Sequence, residues 1–304
     1  MSRHVAVLMG GWSAEREISL VTGAAVADAL RQRGYKATPI DVGRNIAEVL
    51  LKVKPDVAFN ALHGPFGEDG AIQGMLEIVG IPYTHSGVMA SAIAMHKPTA
   101  KRLFKDVGIP VAEGRVMHRD EVMRGALPAK PYVIKPINEG SSVGVRIVLG
   151  HDNFTPSDDM HWSYGDHVLV ERFIPGREIQ VAVMGDRVLG AIEIRPKGRF
   201  YDYEAKYTDG KAVHLMPAPI VPEAYEEACR LALLAHRTLG CRGVSRCDMR
   251  YDDTAGEPGR FYMLEINTQP GMTPLSLVPE IAAYHKIGFA DLVEWMVEDA
   301  SCGR

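Results

Sequence analysis

The chain predicts a mixed α/β and α+β protein in three units. These are an N-terminal parallel αβ domain of Rossmann-like type over residues 1–96, a smaller β-rich unit over 97–177 and a larger α+β unit over 178–304. Three observations carry that expectation. Strand-like and helix-like runs alternate through the first ninety or so residues, as a parallel sheet with helices on its faces requires. The texture changes at Met95-His96-Lys97-Pro98, where a lysine-rich helix leads to Gly108-Ile109-Pro110 and a series of strands. Near the end, the strand-like run Gly243 to Asp248 carries Arg246 and Asp248 on one face, and the run Arg260 to Leu264 delivers Glu265 and Asn267 to a common face.

Taken in order, Val5 to Met9 reads as the first strand, and its apolar run enters a Gly-Gly turn rather than a small-residue cleavage site, so no signal peptide is expected. A helix from about Ala14 to Arg33 follows, with Ser13 as its cap and Glu15 in its first turn, where the positive end of the helix dipole favours a carboxylate. Lys36 to Val42, a helix near Ile46 to Val53, and the strand Val57 to Leu62 complete the alternation. Gly10-Gly11 follows the first strand, yet neither the dinucleotide nor the Walker glycine pattern is present there. The loop His63-Gly64-Pro65-Phe66-Gly67-Glu68-Asp69-Gly70 ends the third strand; it is a tight turn, or a loop whose histidine and open backbone meet a ligand.

In the middle unit Lys135 stands inside the strand Tyr132 to Pro136, and a lysine flanked by apolar residues needs an anionic partner or a wet pocket. A nucleotide phosphate would be such a partner. The segment Asn138 to Val145 holds Ser141, Ser142 and two glycines; it is a polar hairpin turn, or a flap whose backbone N–H groups and hydroxyls close over phosphate oxygens. Lys197 to Val213, with four aromatics, is too polar for a core strand and reads as a long lid-like loop. The helices Glu223 to Leu239 and Ile287 to Val297 are core packing, the first through Ala228, Leu231, Ala232, Leu234, Ala235 and Leu239 at helical spacing.

Composition narrows the partners. With 304 residues, 46% hydrophobic, 24% charged and a net charge of −4, the chain has an ordinary globular make-up. It lacks the basic run that a nucleic-acid backbone would demand. No apolar stretch approaches bilayer length, so no membrane partner is expected. Cys229, Cys241, Cys247 and Cys302 have neither metal-ligand spacing nor the density of a secreted scaffold, which points to reduced thiols and a cytoplasmic location.

Glu265 and Asn267 sit two apart on a strand and therefore share a face. A carboxylate with an amide oxygen suits a hard cation such as Mg²⁺. On the neighbouring strand Arg246 and Asp248 also share a face, so Asp248 is the third candidate ligand. An exposed hairpin would show similar residue types, but two adjacent strands with paired groups, followed at once by Pro270-Gly271, favour a site.

These residues resemble those of a known family. Asp248, Glu265-x-Asn267, Thr268-x-Pro270-Gly271-Met272-Thr273 and Ser276-Leu277 closely resemble the metal site of the ATP-grasp enzymes and, among them, the D-alanine:D-alanine ligases. Further matching segments are Gly10-Gly11-x-Ser13-Ala14-Glu15-Arg16-Glu17, His63-Gly64-x-x-Gly67-Glu68-Asp69-Gly70, Lys135-Pro136, Glu139 to Gly144 and Tyr201 to Tyr207, in the family's order over almost the whole chain.

The resemblance implies an ATP-grasp fold and ATP-dependent joining of two D-alanine molecules through an acyl phosphate, for cell-wall peptidoglycan, with ATP between the second and third units. It implies that Lys97, Lys135 and Lys206 meet ATP phosphates under Ser141 and Ser142, that Glu171, Phe173 and Ile174 read adenine, and that Glu178 holds the ribose. Asp248, Glu265 and Asn267 would bind Mg²⁺ or Mn²⁺, as two ions. Glu15 and His63 would lie on the side of the first D-alanine, Arg246 and the Gly271 N–H would stabilise the tetrahedral oxyanion, and Ser276 and Leu277 would hold the second carboxylate. Tyr207 would close the lid onto Ser141 and Glu15 and favour an amine over a hydroxy acid as second substrate. A homodimer through the N-terminal domain is compatible with the family. The chain departs from it at His96, Gln269 and Leu275, where the family often has aspartate, serine and histidine. Two other readings stay open: a related ligase joining a different pair, and a non-catalytic nucleotide-binding module.

Overall fold

The computed structural model describes residues 2–140, 144–152, 165–197, 210–273 and 276–304. In the N-terminal unit, β1 (His4–Met9) lies between β2 (Lys36–Asp41) and β3 (Val57–Asn60), both parallel to it. A central parallel strand is covered on both faces, which is why Val5, Ala6, Val7 and Leu8 are all apolar. Val5 and Val7 join one core cluster and Ala6 and Leu8 another, as the two-residue alternation of a strand dictates.

Helix α1 (Arg16–Gln32) covers one face with Ser19, Thr22, Gly23, Val26, Ala27 and Leu30, a run at three- and four-residue spacing. Gly23 is needed for that approach, because a Cβ there would stand 2.4 Å from the Met9 Cβ. The helix starts later than the sequence suggested, and Ser13 is not its side-chain cap. The Ser13 hydroxyl accepts from the Glu15 N–H at 3.2 Å and donates to the His63 carbonyl at 2.7 Å, so it ties two loops together instead. Helices α2 (Ile46–Val53), α3 (Ala71–Val79), α4 (Val88–Met95) and α5 (Lys97–Asp106) follow. His96 serves as the N-cap of α5, its ring nitrogen accepting from the Thr99 N–H at 3.3 Å, which is the task an aspartate would perform there.

The middle unit is an antiparallel sheet ordered β4-β7-β5-β6, made of β4 (Gly114–His118), β5 (Tyr132–Pro136), β6 (Arg146–Val148) and β7 (His167–Arg172), with the short helix α6 (Arg119–Met123) beside β4. The third sheet, ordered β10-β9-β8-β11-β12, comprises β8 (Arg177–Met184), β9 (Arg187–Pro196), β10 (Ala212–Leu215), β11 (Val244–Asp252) and β12 (Arg260–Asn267). The stretch expected to be loop as far as Val213 ends earlier, since Ala212 and Val213 pair with Pro196 and Arg195. Residues 198–209 of that loop, with Lys206 and Tyr207, lie outside the described residues, as do Ser141, Ser142 and Leu275.

Helix α7 (Pro222–Thr238) packs on this sheet through Ala224, Ala228, Leu231, Ala232 and Ala235, small residues that let it lie close, with Leu234 only partly buried. Helices α8 (Leu277–Tyr284) and α9 (Phe289–Asp299) then return to the first unit. There α9 packs on α1, and one core cluster joins Val26, Leu30 and Phe59 to Ile281, Leu292 and Val297.

Candidate active site

Strand register puts the candidate metal ligands together. Asp248 faces Glu265 and Arg246 faces Asn267 across the β11–β12 ladder, with a bulge just after Asp248. Arg246 clamps Asp248 with two bonds, Nε to Oδ1 at 2.7 Å and Nη2 to Oδ2 at 3.0 Å, the fork-to-carboxylate fit that only a planar guanidinium makes. Lys97 Nζ lies 3.3 Å from Glu265 Oε2 and donates to the Glu139 carbonyl. The half-buried Asn267 side chain has a buried Nδ2 without a partner, and half a turn of the amide brings Oδ1 to that position.

Two carboxylates and one amide oxygen form a small, hard donor set. Among the described residues no three of His, Cys, Asp and Glu gather to hold a metal. A cation here therefore draws its remaining ligands from outside the protein, as Mg²⁺ does when it sits on nucleotide phosphates. The residues present fit such an ion.

These strands open onto a cavity of about 430 Å³ between the second and third sheets. Its lining brings together eight residues singled out from the sequence: Lys97, Lys135, Glu171, Phe173, Ile174, Glu178, Asp248 and Glu265. Lys97 is 7% exposed, and so is Lys101 one turn further along α5. Glu171, fully enclosed, accepts from Lys135 through Oε1 and from Lys101 through Oε2. Burial alone would raise the Glu171 carboxyl, but the two ammonium groups outweigh it and hold the group below its ordinary range. Burial, partly offset by Glu171, brings Lys101 down to about 8. Lys101 is the participant that sequence reasoning missed, and its position four residues after Lys97 in one helix was the available signal.

A second group forms at the carboxyl ends of β1 and β3, where open parallel sheets present ligand sites. Glu15 is buried against two loops. A Cβ on Gly64 would stand 2.7 Å from Glu15 Oε2 and one on Gly140 3.3 Å from it. Gly140 follows Glu139, whose carbonyl holds Lys97, so one short loop connects Glu15 to the metal strands. Both ring nitrogens of His63 are engaged within the N-terminal unit, Nε2 with Thr22 Oγ1 at 3.0 Å and Nδ1 with Glu68 Oε1 at 3.2 Å. Beyond β12 the chain folds back on itself. Ser276 Oγ accepts from the Thr273 N–H at 2.9 Å, and a Cβ on Gly271 would lie 2.9 Å from the same oxygen. The Gly271 backbone and the start of α8 at Leu277 thus meet across Ser276.

The family model described as D-ala D-ala ligase C-terminus matches residues 103–298, and the one described as D-ala D-ala ligase N-terminus matches 43–86. A D-alanine–D-alanine ligase of Parvibaculum lavamentivorans is 56% identical over 305 residues, spanning 100% of this chain and 99% of that protein. One from Paramagnetospirillum magneticum is 59% identical over 308 residues, covering 99% and 100%. Among solved structures, the Bacillus anthracis D-alanine–D-alanine ligase complexed with ATP superposes with a TM-score of 0.79 at 30% identity, covering 98% of this chain and 97% of that one. The VanG D-Ala:D-Ser ligase of Enterococcus faecalis gives 0.81 at 28% identity, covering 98% and 99%. With both family models in sequence order, relatives above 55% identity from end to end and the ATP-grasp architecture around one cavity, this chain belongs to the D-alanine–D-alanine ligase family.

Proposed function

We propose that this protein joins two D-alanine molecules into D-alanyl-D-alanine at the expense of ATP, releasing ADP and phosphate, for cell-wall peptidoglycan. The observation that carries the reading is the single cavity faced at once by two lysines and by the Asp248–Glu265 pair. A carboxylate is a poor electrophile. Transfer of the γ-phosphoryl group to the first D-alanine gives an acyl phosphate, which the amine of the second opens, and phosphate departs with the electrons of the broken C–O bond.

Each residue has a part in that sequence. Lys97 and Lys135 neutralise phosphate charge, Glu171 with the Phe173 and Ile174 backbones reads adenine, and Glu178 holds the ribose. Glu15 takes the ammonium of the first D-alanine, with His63 beside it, while Ser276 Oγ and the Leu277 N–H hold the carboxylate of the second. Arg246 and the Gly271 N–H stabilise the oxyanion of the tetrahedral intermediate, where charge develops away from water. Asp248, Glu265 and Asn267 would hold Mg²⁺ or Mn²⁺, as two ions, and such cations spread the charge of the transferring phosphoryl group. Ser141, Ser142 and Lys206 would meet the ATP phosphates, and Tyr207 would favour an amine as the second substrate. We assign residues 1–96, 97–177 and 178–304 to the substrate-side domain and the two halves of the nucleotide clamp. Among the described residues no helix is long and apolar enough to cross a membrane. We place the enzyme in the cytoplasm, as a homodimer through the N-terminal domain, with no nucleic-acid or membrane partner.

The purified protein with ATP, Mg²⁺ and D-alanine should yield ADP and the dipeptide in equal amounts, and L-alanine should yield neither. Release of ADP without dipeptide would point instead to a different second substrate.

A further inference from the structure

Among the described residues, both ammonium groups that face the cavity are already paired with a carboxylate. Lys97 lies against Glu265, and Lys135 donates to Glu171 Oε1. A phosphate arriving in the cavity must compete for both. The competition has different consequences at the two carboxylates, because Glu265 is partly exposed whereas Glu171 is buried. A buried carboxylate that loses its cation is strongly disfavoured unless another remains. The one that remains is Lys101, bound to the other oxygen of Glu171. Lys135 and Glu171 line the cavity and Lys101 does not. The three groups therefore run in a row from the cavity inward: Lys135, Glu171, Lys101.

We propose that Lys101 is a positioning residue for nucleotide binding, keeping Glu171 paired from behind so that Lys135 is free to turn to a phosphate of ATP. Without Lys101, Lys135 is the one cation left to Glu171 among the described residues, and each phosphate contact made by Lys135 orphans a buried charge. Lys101 itself touches neither nucleotide nor amino acid. The groups facing it are Glu171 on β7, Lys135 on β5 and Glu265 on β12. A wholly structural ion triad would have the same contacts, but it would not link Lys101 to the affinity for phosphate. The inference rests on the cavity being the nucleotide site.

The test is titration of the intact enzyme with Mg²⁺ and ADP, comparing wild type, Lys101→Met and Lys101→Arg, together with KM for D-alanine. Lys101→Met should weaken ADP by at least about thirtyfold, the lower range for truncating one partner of a buried charged pair. KM for D-alanine should stay within about twofold. Lys101→Arg, which keeps the cation, should recover most of the loss. If Lys101→Met does not fold, Lys101→Gln, which also removes the cation, takes its place, with ADP again weakened and KM for D-alanine held. ADP bound equally by wild type and the variant that lacks the cation, or Lys101→Arg binding ADP as weakly as that variant, overturns the proposal. Wild type that binds no ADP removes the nucleotide reading itself.

Discussion

Glu265 stands opposite Asp248 and beside Lys97, so removing its charge while keeping its shape isolates what that charge does. Glu265→Gln should abolish turnover through loss of a metal-ligand charge, with nucleotide binding weakened much less. A near-native rate with unchanged Mg²⁺ dependence would take Glu265 out of the site. Arg246→Lys keeps a positive charge but loses the fork that holds Asp248. If the guanidinium donates to the oxyanion, the barrier should rise by about 3 to 4 kcal/mol, as when other oxyanion donors are removed. The check is kcat at saturating D-alanine, where an unchanged value contradicts the role. These residues were legible in the sequence because strand periodicity places i and i+2 on one face, so Arg246 with Asp248 and Glu265 with Asn267 could be paired before any coordinates. Glu171 was legible only through the family resemblance, and Lys101 only as a second lysine one turn after Lys97 on the same helix. A buried ion triad drawn from α5, β5 and β7 leaves no local pattern, since its members are separated by long stretches of chain.

At the level of elements, the loop after β12 is fixed by a side chain that reaches into the N-terminal unit. Gln269 donates through Nε2 to the Leu62 carbonyl and accepts through Oε1 from Asn60 Nδ2, and Asn60 also donates to the Gly67 carbonyl at 2.9 Å. The clamp joins the loop that carries Gly271 to the loop that carries His63 and Gly64. Gln269→Leu would take the donor from the buried Leu62 carbonyl and leave Asn60 Nδ2 with the Gly67 carbonyl alone, a cost of about 1 to 3 kcal/mol for the stranded carbonyl. The expected outcome is a lower thermal midpoint, a raised KM for the first D-alanine and a lower kcat, with KM for ATP close to wild type. A change confined to ATP would mean that the clamp serves the nucleotide side instead. The elements themselves were largely legible, because apolar runs and their periods mark β1, β3, α1 and α7 directly. The Gln269 departure was visible as a difference in residue type, yet its partners lie some two hundred residues away and only the folded chain brings them together. The start of α1 was misjudged for a related reason. A serine before an apolar helix resembles a cap, whereas here its hydroxyl is spent on the His63 carbonyl.

Across the whole molecule, the first and last parts of the chain are packed as one body. Arg33 reaches Asp291, Tyr35 donates to Glu298 at 2.6 Å, and Arg304 donates to the His85 carbonyl at 2.9 Å. Two buried histidines sit within this packing. His85 lies against Phe59 and the turn at Gly243, with Nε2 unpartnered and Nδ1 2.9 Å from Thr84 Oγ1. His236 pairs through Nδ1 with Ser245 Oγ at 2.7 Å, joining α7 to β11. Burial, reinforced by Arg304 and His63, lowers His85 to about 3, and burial with Arg237 lowers His236 to about 4. In the unfolded chain both titrate near their ordinary value of about 6.5. Above that pH they are neutral in both states and have no effect on stability. As pH falls below it the unfolded chain takes up two protons that the folded chain refuses, and stability drops by up to about 1.4 kcal/mol per pH unit for each histidine. Depressed carboxylates such as Glu171 and Glu193 add their own loss only further down, below their ordinary range of about 4 to 4.5. The interval between about pH 6.5 and 4.5 therefore belongs chiefly to the histidines. The urea midpoint should fall between about pH 7.5 and about pH 5, and His236→Gln, whatever its own cost at neutral pH, should flatten that fall. Equal wild-type midpoints at the two pH values would show that the folded protein admits the protons, and hence that these sites are less closed to water than the packing implies.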